Sequence, residues 1–385
     1  MSRRIPIAWL QLSAEKLRLM AAVAGIAFAA MLMLMQLGFR DALVSSATLV
    51  HEHVEGQIVL ISPLYEYLLS TRSFPEFRLQ QALGAEGVAS VAPIYVSVAS
   101  WKNPRTGREI KISLLGVDVG TRAFTLPEIA ENLQKTRMPD VVLADASARP
   151  EFGPITELFR TRGGSVASEV NRHRVEVKGL FRLGTGFGVN GTIVTSHTNF
   201  LRLLPARQPH MIDTGLVMLK PGADIETVRR ALVAALPADV RVLTRQEFAD
   251  NEKAYWLRNS PVGFIFNLGT FMGFIVGAVI VYQILYSDVS DHLAEYATLK
   301  AMGYADLQLF GIVVKQALLL AVFGFLPGYV IAHSLYIITY RATFLPIQMT
   351  PGRAGLVFAM TISMCAGSAS LAMRKLRAAD PAEIF

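Results

Sequence analysis

The stretch Val262–Tyr286, VGFIFNLGTFMGFIVGAVIVYQILY, runs from end to end without a charge. A hydrocarbon layer of roughly 30 Å takes about 20 helical residues at about 1.5 Å each, so this segment is long enough to span a membrane. Working outward from it, three more segments qualify. Leu19–Leu37 and Gly355–Met373 are each uncharged throughout, and Leu309–Ile331 carries Lys315 alone. One span therefore stands near the start and three crowd the chain from Val262 onward, with a long and mostly polar region between them. This 1+3 layout predicts an α-helical membrane protein with four transmembrane helices and one large folded domain between the first and second.

Composition agrees, since 52% hydrophobic and only 17% charged residues is an unusual pairing for a soluble chain of 385 residues. The net charge of +7 is spread along the chain. Between Asp41 and Arg258, 25 Lys and Arg face 23 Asp and Glu, or +2; the remainder holds 12 against 7, or +5. A nucleic-acid partner would need a concentrated basic face, so none is expected. Arg3, Arg4, Lys16 and Arg18 precede the first span while Arg40 alone follows closely, and Arg374, Lys375 and Arg377 follow the last span against Arg353 before it. Both ends therefore read as cytoplasmic and residues 38–258 as extracytoplasmic, although Lys253 and Arg258 pull locally the other way. The first stretch exceeds a typical signal-peptide apolar core, and Arg40-Asp41 follow it instead of a small-residue cleavage site, so a retained anchor is expected. The single cysteine, Cys365, falls inside the last span, which leaves the outer domain to be held by its apolar core.

Within that domain, strands are expected at Gly56–Ser62, Val88–Trp101 and Arg108–Val117, with a helix at Pro75–Leu83 and a turn across Asn103–Gly107. Further on, Thr214–Leu219 and Val240–Leu243 read as strands around an amphipathic helix, Asp224–Leu236, with Ile225, Val228, Leu232 and Leu236 on one face. Together these form a mixed α/β body over 56–118 and 211–250. Residues 119–210, with strands at Val141–Leu143, Val175–Leu180 and Thr192–Thr195, read as a second subdomain inserted in the first.

Catalytic patterns are poor. His51 and His53 flank Glu52, but residues two apart on a helix point away from each other, so the trio reads as a solvated stalk. Gly184-Thr185-Gly186-Phe187-Gly188 lacks the Lys-Ser or Lys-Thr of a phosphate loop and reads as a structural loop. His173 and His197 lack spaced partners, and no Gly-x-Ser-x-Gly elbow occurs. The chain is not expected to be an enzyme or to bind a metal or cofactor.

Small residues recur every four positions at Ala21, Gly25 and Ala29, at Gly269, Gly273 and Gly277, and at Gly324 and Gly328, marking faces where helix backbones approach closely, within one subunit or between two. Pro327 should kink the third span. Lys315 suits either a snorkelling side chain at the cytoplasmic edge or a charge on a transport path. Between the second and third spans, Asp288–Tyr304 reads as a short amphipathic helix, with Val289, Leu293, Tyr296, Ala297 and Tyr304 on one side, Ser287 or Ser290 as cap and Gly303 as terminator. It suits a helix lying on lipid or a lever held by a cytoplasmic protein, and the acidic start Asp288, Asp291 and Glu295 favours the protein.

The 1+3 layout, the basic start Ala8–Arg18, the segment Glu295-Tyr296-Ala297-Thr298-Leu299-Lys300-Ala301-Met302-Gly303-Tyr304 and the tail Asp380-Pro381-Ala382-Glu383 together resemble ABC-transporter permeases of the MacB/FtsX superfamily. Residues 175–200, with Gly179–Thr192 and Thr195-Ser196-His197-Thr198-Asn199-Phe200, look like the outer domain of its DevC group. The resemblance spans the whole chain. It departs from MacB in lacking a fused nucleotide-binding domain, and no Gly-x4-Gly-Lys-Ser/Thr loop is present. It implies residues 1–18 as a cytoplasmic amphipathic segment, 19–37, 262–286, 309–331 and 355–373 as spans, 38–258 as a MacB-like periplasmic core, 288–304 as a coupling helix and 374–385 as a cytoplasmic tail. It further implies a homodimer in a bacterial inner membrane, in contact with membrane lipid. An ABC ATPase of DevA or MacB type would bring ATP and Mg, a periplasmic membrane-fusion adaptor of DevB or HlyD type would dock outside, and a TolC-like outer-membrane duct would complete the path. The ATPase would be met through Asp291, Glu295, Thr298, Leu299, Lys300, Met302 and Gly303. The implied function is export of a lipid, glycolipid or other periplasmic substrate; the alternative is an FtsX-like regulator of a cell-wall hydrolase that transports nothing.

Overall fold

The computed structural model of the chain describes residues 15–378 except Thr71 and Phe187. Arg3, Arg4, most of Ala8–Arg18 and the tail Asp380–Glu383 lie outside the described residues. Two units are present. One holds Leu43–Ser260 with Thr343–Leu345, the other residues 15–42, Pro261–Ala342 and 346–378.

The first unit contains, in chain order, the end of helix α1 (Lys16–Glu52), β1 (Ile58–Ile61), β2 (Phe74–Pro75), α2 (Phe77–Leu83), β3 (Val88–Lys102), β4 (Glu109–Val117), α3 (Pro127–Asn132), β5 (Val141–Asp145), α4 (Ile155–Thr161), β6 (Val166–Val170), β7 (His173–Phe181), β8 (Thr192–Ser196), α5 (His197–Leu203), β9 (Met211–Ile212), β10 (Thr214–Leu219), α6 (Ile225–Ala235), β11 (Arg241–Thr244) and α7 (Arg245–Ala254). Local chemistry sets the ends. The Asp224 carboxylate accepts from the Thr227 amide to start α6, which buries Val228 and Leu232 one turn apart. Thr244 and Glu247 form a capping box at the start of α7. The β3–β4 hairpin closes where Asn103 accepts the Arg105 and Thr106 amides through its side chain and Gly107 takes φ +72°.

Nine strands form one sheet in the order β11-β1-β10-β3-β4-β8-β5-β7-β6, and β6 also pairs with β3. The strands of 119–210 therefore make no sheet of their own. β4 pairs in parallel with β8 across Ser113–Val117 and Thr192–Ser196, while Trp101 and Lys102 of β3 pair with Val170 and Glu169 of β6. β3, β4, β8, β5, β7 and β6 thus close into a ring. The physical reason is the length of β3. Its 15 residues extend about 50 Å, so Val88–Ile94 can pair with β10 while Ile94–Lys102 pairs with β4. The core is likewise shared: Trp101, Phe152, Val166 and Val177 belong to the same buried cluster as Leu60, Leu79 and Leu232. Trp101 stacks on Phe152 at 4.6 Å and donates its indole N–H to the Phe152 carbonyl, which satisfies its only polar atom.

The second unit is the beginning of α1 together with α8 (Pro261–Asp291), α9 (Leu293–Ala301), α10 (Asp306–Thr343) and α11 (Pro351–Ala378). α1, α8, α10 and α11 are each long and apolar enough to cross a membrane. All four outrun the apolar stretches that mark them: α1 continues past Leu37 to Glu52, α8 reaches Asp291, α10 runs unbroken through Pro327 from Asp306 to Thr343, and α11 extends from Pro351 to Ala378. The excess is a difference between helix and hydrophobic span, because hydropathy marks the part that can sit in hydrocarbon and the backbone hydrogen bonds continue beyond it.

Candidate functional site

Helix α9 is shorter than the 288–304 expected. Asp288–Asp291 form the last turn of α8, and His292, rather than Ser287 or Ser290, stands at the N-cap of α9. The other end follows the sequence closely. Gly303 takes φ +96°, its amide bonds the Lys300 carbonyl, and the Tyr304 amide reaches back to Leu299, a pairing that only a left-handed residue permits cheaply. Tyr296 (1% exposed) and Ala297 are buried, with Tyr296 in the same cluster as Val289, Leu309 and Val313. Tyr304, expected on that side, is exposed. Glu295, Thr298 and Met302, at i, i+3 and i+7, form an outward stripe, flanked by exposed Asp291 and Gly303; Leu299 and Lys300 are half-buried.

At the start of α9, Asp291 pairs with Arg18 of α1 at 2.7 Å, and His292 donates from Nδ1 to the Asp288 carbonyl at 2.9 Å. That hydrogen bond, with the carboxylates of Asp288, Glu295 and Glu15 nearby, raises the His292 pKa above its ordinary value. Gln316 of α10 donates to Asp288 at 3.3 Å. The foot of α9 is therefore tied to α1 and α10.

The six glycines singled out in the sequence all meet helices of the same chain. A Cβ added at Gly25 would lie 2.6 Å from Ile280, at Gly269 2.5 Å from Gln36, at Gly273 3.3 Å from Met33, at Gly277 2.7 Å from Ala29 and from Met364, at Gly324 2.5 Å from Ile26, and at Gly328 2.6 Å from the Ala27 carbonyl. α1 is thus gripped by α8 on one side and α10 on the other. An added methyl group at Gly25, Gly277, Gly324 or Gly328 would force the facing helix to shift; at Gly269 it would displace the Gln36 side chain, and at Gly273 it would ask Met33 to give only slightly. Lys315 is exposed on the surface of α10.

Sequence reasoning missed a polar cluster at the opposite end of these helices. Arg353 (7% exposed) donates to Asp41 from Nε at 3.1 Å and from an η-nitrogen at 2.7 Å, and also reaches Tyr336 Oη and the Gln348 carbonyl. Arg40 bonds Asp41 and Asn267, while Tyr336 donates to the Leu34 carbonyl across Gly38. Residues of α1, α8, α10 and α11 are joined in one network. The signal in the sequence was the isolated Arg353 and the Arg40-Asp41 pair, charges at the edges of apolar stretches.

In the α/β unit the solvated-stalk reading of His51 is overturned. His51 is fully buried beside Phe248, with Nε2 3.1 Å from Tyr65 Oη and 3.3 Å from the Glu252 carboxylate. Glu252 also accepts from the Leu68 amide and the Trp256 indole. The stalk reading treated residues 51–53 as an isolated segment, whereas α7 arrives from the far end of the domain to cover them. The Thr-Ser-His-Thr-Asn-Phe segment has a structural role. Ser196 caps α5, and buried Asn199 donates to the carbonyls of Thr136, Met138 and Val141 and accepts from Asp140, whose φ is +63°. The glycine loop after β7 is pinned by Asp145 (1% exposed), whose carboxylate accepts the amides of Ser147, Leu183 and Gly184 at 2.8, 3.2 and 3.0 Å. Burial outweighs these bonds and pushes the Asp145 pKa up to about 6. Among the described residues no three His, Cys, Asp or Glu side chains come together as metal ligands.

The family model of the MacB-like periplasmic core domain matches residues 19–235, and that of the FtsX-like permease C-terminal region matches residues 267–381. Solved structures similar to the chain include the periplasmic region of MacB from Actinobacillus actinomycetemcomitans (11% identity, TM-score 0.34, 50% of this chain and 90% of that one). Another is the extracellular domain of the noncanonic ABC-type transporter YknZ from Gram-positive bacteria (16% identity, TM-score 0.33, 49% and 99%). Comparison with curated proteins finds no match. With the first family model covering more than half of the chain and the second reaching from α8 through α11, the chain belongs to the MacB/FtsX type of ABC permeases, membrane proteins with a large periplasmic domain that work with an ABC ATPase partner.

Proposed function

We propose that this chain is the membrane subunit of a DevC-like ABC exporter, in which α9 receives the stroke of a separate ATPase subunit and passes it through the helices to the periplasmic domain. The observation that carries this reading is the two-faced build of α9. Its inner face is locked into the bundle by Tyr296 and Ala297, while Glu295, Thr298 and Met302 face outward. A helix held rigidly on one side and open on the other can transmit a push with little loss. With the domain between the first two spans periplasmic, α9 lies on the cytoplasmic side, where ATP is hydrolysed. The exporter works as a homodimer, with a periplasmic adaptor and a duct receiving a lipid, glycolipid or other periplasmic substrate. The absence of any charged residue in three of the four apolar stretches suits a machine that moves material outside the bilayer better than one with a polar pore.

Glu295→Lys reverses one outward charge with little effect on the fold, and Gly303→Pro forbids the left-handed turn that ends α9. Both variants are expected to insert normally and to lose stimulated ATP hydrolysis and export in the reconstituted complex. Full stimulation in both would refute the assignment of α9. Co-purification separates the two roles: an adaptor bound with the ATPase supports export, whereas a cell-wall hydrolase in its place supports regulation.

A further inference from the structure

The glycine loop has a contact that its structural role does not require. The Thr185 hydroxyl donates to the Phe344 carbonyl at 2.7 Å. Phe344 lies in the short connection between α10 and α11, and Thr343–Leu345 belong to the same compact unit as Leu43–Ser260. Phe344 takes φ +57°, a left-handed conformation that a bulky residue keeps only where its surroundings impose it. The connection is braced further by the Leu345 amide on Thr343 Oγ1. On its other side the loop is itself fixed. Asp145 holds the Leu183 and Gly184 amides, and Gly184, at φ +108°, lies close enough to α1 that an added Cβ would meet Leu49 at 3.4 Å. A hydrogen bond from an anchored loop to a strained backbone carbonyl is suited to carrying load.

We propose that residues 183–185 are a grip through which the periplasmic domain holds the α10–α11 connection, adding a third attachment to the two covalent ones at α1 and before α8. The transmission role of this grip rests on the proposed function; its existence does not. A movement of the domain then loads α10 and α11 directly as well as α1 and α8.

The test uses the full chain in lipid nanodiscs, first alone and then with its ATPase, followed by hydrogen–deuterium exchange. Thr185→Val removes the donor at constant shape, Thr185→Ser keeps it, and Thr161→Val removes a hydroxyl that bonds only its own helix. Amides of residues 343–345 are expected to exchange about fivefold faster in Thr185→Val, the factor that one ordinary hydrogen bond protects. They should be unchanged in the other two variants. Equal exchange in Thr185→Val and wild type, or an equal rise in Thr185→Ser, overturns the grip. With the ATPase and ATP added, wild-type exchange at 183–185 and 343–345 is expected to change together. If neither segment responds to ATP, the transmission reading fails, while the grip has already been decided by the resting measurement.

Discussion

Asp145 offers a test in which pH separates two energies that usually cancel. Its folded pKa, about 6 against an ordinary 3.8, is raised by burial, so the folded state binds the proton more tightly than the unfolded one. The sign follows. Whatever stability this group contributes is greatest below about pH 4 and falls as pH rises through about 6, by roughly 3 kcal/mol at about 1.36 kcal/mol per pH unit of difference. Asp145→Asn removes the titration and with it that loss. The amide also takes away one acceptor: a single oxygen can keep Ser147 and Leu183, but the Gly184 amide would face an N–H₂ group, at a cost of about 1–3 kcal/mol. The variant should therefore be less stable than wild type near pH 4 and equal or more stable near pH 7. Hydrogen exchange of the β5 and β7 amides in the full chain reads this directly, because the variant-to-wild-type ratio at each pH cancels the intrinsic pH dependence of exchange. That ratio is expected to fall about 100-fold between pH 4 and pH 7. A ratio independent of pH would show that Asp145 carries no burial cost, and the reasoning would fail.

Two further substitutions probe the packing. Gly38→Ala places a methyl group against the Tyr336 hydroxyl, dislodging it from the Leu34 carbonyl and from Arg353; a loss of about 1–3 kcal/mol should lower the Tm of the detergent-solubilised chain by several degrees, and Tyr336→Phe in the same chain should recover part of it. Asn199→Ala takes the side-chain partner of the Met138 carbonyl and of the Asp140 amide and leaves the Thr136 and Val141 carbonyls to the Ser196 and Thr195 hydroxyls, for an expected cost of about 2–4 kcal/mol, detectable as protease cleavage within residues 136–141 that wild type resists.

Where a residue's role depends on near neighbours in sequence, it was legible. The hairpin at Asn103–Gly107, the amphipathic α6, the stop at Gly303 and the close-packed glycines each declare themselves through spacing or backbone need. The ring of strands did not, because it depends on Trp101 of β3 finding Val170 of β6, and on β6 itself, VASEV, whose alternation is too weak to mark a strand. His51 was misread for the same reason: its burial depends on Phe248 and Glu252, and no local pattern announces so distant a partner. Arg353 and Asp41 stand farther apart still, at nearly opposite ends of the chain. The capping box at Thr244 and Glu247 was local and readable, yet α7 was not anticipated because its charged sequence lacks an apolar stripe.

The burial of α1 between α8 and α10 has a consequence for biosynthesis. Ala22, Ile26, Ala29, Ala30 and Met33 are covered by helices whose synthesis begins only at Pro261, after the whole periplasmic domain has been made. At about 5–20 residues per second the ribosome takes roughly 10–45 s to pass from Leu37 to Pro261, during which the first helix stands in lipid without its partners. Its contact face is made of alanine and other apolar residues, with Gln36 the one polar side chain between Leu19 and Leu37. A seam built on hydrogen bonds would leave unpaired groups in hydrocarbon throughout that interval. A seam built on close approach of small residues loses only contacts while it waits, so the nascent chain can stay inserted until the last three helices arrive to close around it.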